Sequence, residues 1–102
     1  MNTGLPKSIL QSIIMKLQEK EHVNRAVIFG SRSRGDYKYN SDIDLAIYCN
    51  RELPTDLRLD LDIAAGIYKI DVVDMNSSLD EKLRQRIEEQ GVEIYRSILE
   101  SE

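Results

Sequence analysis

A single cysteine, Cys49, rules out any disulfide within the chain, so packing alone has to hold the fold together. A single histidine, His22, accompanies it. Together they offer almost no material for a zinc site or a Cys-His catalytic pair, and His22, in a charged helix end, reads as a solvated surface residue. No apolar run approaches the length of a signal segment or a membrane span, so a reducing cytoplasm and no membrane contact are expected. Positive charge is scarce too: 14 Lys and Arg face 18 Asp and Glu, for a net charge of -4. That balance argues against a broad basic face, and no direct binding of nucleic acid is expected. Repeats and low-complexity tracts are also missing, so neither a solenoid nor a disordered chain is expected.

What remains is a chain of 102 residues with 41% hydrophobic and 31% charged residues, ordinary for a globular protein. One domain over 1–102 is expected, burying roughly 60 to 70% of the unfolded surface. Such a core has no room for a separate substrate domain. A bulky substrate must then be gripped at the surface or brought by a partner.

Hydrophobic spacing sets out the elements. Residues 7 to 20 place Ile9, Leu10, Ile13, Ile14 and Leu17 on one helical face, with Pro6 suited to the first turn. "RAVIFGS" reads as a short buried strand, because Ala26 to Phe29 is a continuous apolar run stopped by Gly30. "DIDLAIY" reads as a second strand, with Ile43, Leu45 and Ile47 on one face and Asp42, Asp44 and Ala46 on the other. In "PTDLRLDLDIAAGIYK", Leu57, Leu59, Leu61 and Ile63 alternate as in a strand, whereas Leu57, Leu61, Ala64, Ala65 and Tyr68 fit a helical face. Pro54 or Thr55 as a start and Gly66 as a stop favour the helix, which we adopt for 55–66. "YKIDVVDM" is a third strand, with Asp71 and Val73 sharing a face. The spacing of Ser78 and Glu81 predicts a capping box for a last helix carrying Leu79, Leu83 and Ile87 and ending at Gly91. "VEIYRS" can add a short final strand. The pattern αβ(α)βαβα predicts an α/β (α+β) fold, a small mixed or parallel sheet packed with helices.

Chemistry concentrates in "GSRSRGDYKYNSDID", residues 30 to 44. Two carboxylates two positions apart on one strand lie about 7 Å apart at the base and can converge beyond its end. Held that close they repel unless a cation lies between them, and their oxygens suit Mg²⁺ or Mn²⁺ better than zinc. An isolated D-x-D is more often a solvated strand end, and Gly-Ser after a strand is more often a plain turn. Their combination is what points to a site: Gly30 admits a ligand close to the backbone, and Ser31 offers an amide and a hydroxyl to phosphate. The basic residues Arg32, Arg34 and Lys38 either counter a triphosphate's charge or solvate the loop. Tyr37 and Tyr39 either stack on a base or pack the loop.

Rival motifs fail on particular residues. Gly30 and Gly35 match the frame of a P-loop, but Asp36-Tyr37 stands where Lys and Ser or Thr are required. "DIDLA" and "DLDIAAG" place Ala46 and Ala64 at the third ligand position of a calcium loop. Asp56, Asp60 and Asp62 read as the wet face of a helix, with Arg58 and Asp62 at ion-pair spacing.

"GS", ten residues, then "DID" resembles the G-S-x10-D-x-D signature of the DNA polymerase β-like nucleotidyltransferases. The longer string "GSRSRGDYKYNSDIDLAI" resembles the minimal nucleotidyltransferases. "YKIDVVDM" is similar to the strand that bears the family's third carboxylate, and "LRQRIEEQGVEIYRS" to its closing helix and tail, so the likeness runs from about Arg25 onward. The resemblance implies nucleotide phosphates on Gly30 and Ser31, two Mg²⁺ ions (or Mn²⁺) on Asp42, Asp44 and Asp71, and these three acids as the catalytic set. Asp74 rivals Asp71 but falls on the opposite strand face.

It also implies a partner. Minimal nucleotidyltransferases commonly act as antitoxins of HEPN-domain ribonuclease toxins, and some transfer AMP from ATP to a toxin tyrosine. Such transfer within a hetero-oligomer is the leading expectation. A transferase for small molecules of the aminoglycoside type, and a nucleotide-binding antitoxin that acts only by masking, are the alternatives. No motif defines the base, the acceptor or the stoichiometry.

Overall fold

The computed structural model of the chain describes residues 3–97. Pro6 caps α1 (Lys7–Gln18), which buries Ile13 and Leu17. The apolar run then forms β1 (Val23–Phe29), followed by a single helical turn, α2 (Ser31–Arg34). After a loop come β2 (Ile43–Cys49), α3 (Leu57–Ala64), β3 (Ile70–Asp74), α4 (Glu81–Gln90) and β4 (Val92–Arg96).

The four strands form one mixed sheet in the order β3-β2-β1-β4. β1 runs antiparallel to both β2 and β4, while β2 and β3 are parallel. Parallel neighbours need a crossover, and α3 supplies it. The strand reading of 55–66 therefore gives way to the helix, and the possible last strand is present.

Alternation along the strands divides the core between two faces. Ile28, Ile43, Leu45 and Ile47 pack with Ile13 and Leu17 of α1 and with Leu57 and Leu61 of α3. Val27, Phe29 and Ala46 pack on the other face with Met75 and with Ile87 of α4. The sheet is thus covered on both sides, as its continuous apolar run in β1 requires. Asp44 and Asp71 share strand faces with Ala46 and Val73, on the α4 side.

Of the two expectations about the ends of the last helix, the start is corrected and the stop at Gly91 holds. It starts at Glu81 after Asp80, with no side-chain cap, so Ser78 and Glu81 do not form a capping box. The turn after β3 holds the chain out of the helix up to that point: Ser77 Oγ donates to Asp74 O at 2.6 Å, and Arg84 Nη2 reaches back to Met75 O at 3.1 Å. Gly91 does follow the helix, but at φ -65° it is extended, not left-handed. Its need for glycine is steric, since a Cβ there would lie 2.5 Å from Ile87 O and 3.2 Å from Val27 Cγ2. Strand ends shift slightly as well: β1 stops before Gly30, and Asp42 lies just ahead of β2.

The two faces of α3 predict contrasting mutants. Leu61→Ala should cost about 2–5 kcal/mol in equilibrium denaturation because Leu61 is fully buried. Ile63→Ser, on the exposed side of the same helix, should stay within about 0.5 kcal/mol of the wild type.

Candidate functional site

The site is built where β1 ends beside the start of β2. Gly30 turns out of the strand with φ +76° and ψ -149°, a conformation open only to glycine. A Cβ at Gly30 would lie 2.5 Å from Asp44 Oδ2. The missing side chain thus leaves a cradle filled on one side by a carboxylate. Ser31 opens α2 next to it, and Ser33 Oγ donates to Gly30 O at 2.9 Å, fixing the turn.

Register supplies the acids. In the antiparallel pair Phe29 faces Asp44, and in the parallel pair Asp44 faces Asp71. Asp42 precedes Asp44 by two positions and is exposed, as is Asp71, while Asp44 is half-buried. Desolvation, followed by the charges of Asp71 and Asp42, raises the pKa of Asp44 above its ordinary 3.8, with Arg34 pulling it down. The three carboxylates and Arg34 therefore share one electrostatic environment.

Among the described residues no group of three or more His, Cys, Asp and Glu side chains is gathered to hold a metal ion. An all-carboxylate set still fits Mg²⁺ or Mn²⁺. Mg²⁺ is ordinarily bound by one or two carboxylates with substrate phosphates and water, not by an all-protein cage. Asp74 stands apart, accepting from the Asn76 amide at 2.9 Å in the turn after β3.

Arg32 is placed differently from the expectation. It is only 1% exposed, and its guanidinium donates to Thr3 O at 2.9 Å, to Tyr39 O at 3.4 Å, and to Ser41 O at 2.8 Å from Nη2 and 3.2 Å from Nε. The rings of Tyr37 and Tyr68 lie 5.4 and 5.2 Å from its Cζ. It clamps the loop before Asp42, with its guanidinium engaged by backbone carbonyls. A buried arginine has no sequence signal that separates it from a solvated one. Tyr37 packs inside the loop against Gly4, whereas Tyr39 is exposed. Arg34 is exposed beside Asp36, and Lys38 is exposed in the loop. Arg58 pairs with Val72 O at 2.9 Å and not with Asp62, and Lys20 gathers Asp56 and Asp60.

A family model described as polymerase beta, nucleotidyltransferase, matches residues 11–98, across all four strands. The chain belongs to that family. A toxin-antitoxin solved with AMP-PNP has a chain with TM-score 0.71 and 27% identity, covering 89% of this chain and 76% of that one. A mutant of the toxin-antitoxin MntA-HpeT gives TM-score 0.70 and 25% identity over the same shares. The tri-AMPylated Shewanella oneidensis HEPN toxin in complex with MNT antitoxin gives 0.65 and 24%, over 91% and 74%, a likeness of fold. No curated protein sequence matches the chain. The likeness to these structures thus extends over 89% of the chain. No helix among the described residues is long and apolar enough to cross a membrane.

Two measurements test this geometry. Arg32→Ala should destabilise by about 1–3 kcal/mol for each carbonyl left unsatisfied and speed proteolysis between Gly35 and Ser41, with Arg32→Lys failing to restore the fork. Because folding raises the pKa of Asp44, its charge opposes folding above that pKa, and stability rises as pH falls through the range just above 3.8. Asp44→Asn should therefore raise the metal-free melting temperature at neutral pH and flatten its pH dependence there.

Proposed function

We propose that the chain transfers AMP from ATP to a hydroxyl of a protein partner, a tyrosine of a HEPN ribonuclease toxin. The observation that carries the reading is the juxtaposition of Gly30 with Asp44 and of Asp44 with Asp71 across three neighbouring strands. A toxin-antitoxin that is 27% identical and was solved with AMP-PNP supports both the nucleotide and the partner.

Gly30 lets the triphosphate lie against the backbone, and Ser31 donates to a phosphate oxygen. Arg34 adds a cation from the exposed side of α2, while Arg32 keeps the loop in place. Asp42, Asp44 and Asp71 would hold two Mg²⁺ ions, which offset the charge of the leaving pyrophosphate and lower the pKa of the attacking hydroxyl. Asp71, on the edge strand, stands on the side open to an acceptor. The acceptor oxygen bonds to the α-phosphorus, the bond to pyrophosphate breaks, and the hydroxyl proton is released. The partner protein supplies that hydroxyl.

The test is incubation with the protein encoded in the adjacent reading frame, labelled ATP and Mg²⁺. Label should reach a tyrosine of the partner, and Asp42→Asn, Asp44→Asn or a chelator should lower the rate by more than about 100-fold. An unlabelled partner, or undiminished label with Asp44→Asn, overturns the reading. Turnover of an aminoglycoside without the partner would indicate the small-molecule transferase. Full neutralisation by an Asp42→Ala/Asp44→Ala protein would indicate masking.

A further inference from the structure

α3 is apolar on two opposite sides. Leu57, Leu61 and Ala64 face the sheet, while Leu59 and Ile63, one turn apart, face outward and are 63% and 68% exposed. Ile67, a further four positions on, is 95% exposed. The core already has its full complement of partners on the inner side. Two exposed aliphatic residues on so short a helix, with a third just past the turn at Gly66, make an apolar surface that the chain itself leaves uncovered.

The stripe adjoins the candidate site. A groove of about 510 Å³ runs from Leu59 and Asp62 on α3 to Asp71 on the free edge of β3. A second, of about 450 Å³, continues past Arg58 to Glu52 and Asp74. Four carboxylates line these grooves against one arginine, and that arginine donates to Val72 O. The surface is apolar in the middle and acidic beside it.

We infer that the outer face of α3 docks a basic amphipathic helix of a partner protein, whose following segment enters the groove and brings its acceptor hydroxyl to Asp71. An aliphatic ridge at four-residue spacing fits the groove between side-chain rows of another helix. Charge selects the occupant. A second copy of this chain would set the same acids against each other across a two-fold axis, and an anionic membrane surface would be repelled. A basic helix alone is matched in both respects. This inference rests on the proposed transferase reading and adds the surface through which the acceptor arrives.

The test uses the full chain with three synthetic peptides, each ending in tyrosine: a Leu/Lys amphipathic helix, its scrambled counterpart and a Leu/Glu helix. Anisotropy measures affinity, and amide shifts locate the contact. The Leu/Lys helix should bind, shift Leu59, Ile63, Ile67 and Asp71, and bind at least about tenfold more weakly to Leu59→Ser/Ile63→Ser. Ile67→Ser, outside the helix, serves as the second variant if the double one loses its melting transition. No binding, equal binding of the scrambled or Leu/Glu peptide, or a dimer that Ile63→Ser dissolves would each overturn the inference. Mg²⁺-ATP binding, measured on the same samples, separates the two claims. It should be unchanged in the serine variants, and its absence from the wild type would count against the transferase reading, whatever the peptides do.

Discussion

A buried guanidinium with no acid to pair it among the described residues holds together the end of the fold that carries the candidate site. Arg32 forms no ion pair among the described residues; carbonyls from Thr3, Tyr39 and Ser41 satisfy it instead, with two tyrosine rings beside it. A cation in that position is expensive to bury, and only a full set of acceptors makes it tolerable. The carbonyls come from the start of the chain and from the loop ahead of β2. One side chain therefore fixes both the path of the loop and the point at which Asp42 and Asp44 enter the sheet.

The acids present the opposite case, an arrangement that folding alone would not choose. Asp44 is half-buried beside Asp71 in register, and desolvation and like charge both work against its ionised form. The core around it is otherwise closely matched, with every strand face covered by helices on one side or the other. Local conflict within a consistent fold is the pattern expected of a functional site.

Much of this was legible in the sequence because periodicity and register are coupled. Once Asp42 and Asp44 share a face and Asp71 lies one crossover later on a parallel neighbour, strand pairing sets Asp44 against Asp71. The two-sided apolar character of α3 was written there too, in the alternating Leu57, Leu59, Leu61 and Ile63 that imitate a strand. A helix sends those four residues in and out by pairs, so the ambiguity itself recorded a second apolar face. Other features had no local signal. Whether Arg32 points into the loop depends on carbonyls up to 29 residues away, and the start of α4 depends on a tertiary turn rather than on the spacing of Ser78 and Glu81.

The strand order carries a consequence for how such a protein can diversify. Asp44 belongs to one of the two central strands and Gly30 directly follows the other, where a change propagates into packing on both faces of the sheet. Asp71 lies on a border strand paired on one side only, with α3 exposed above it. Selection can therefore remodel that outer margin, residue by residue, while the middle of the sheet stays as it is.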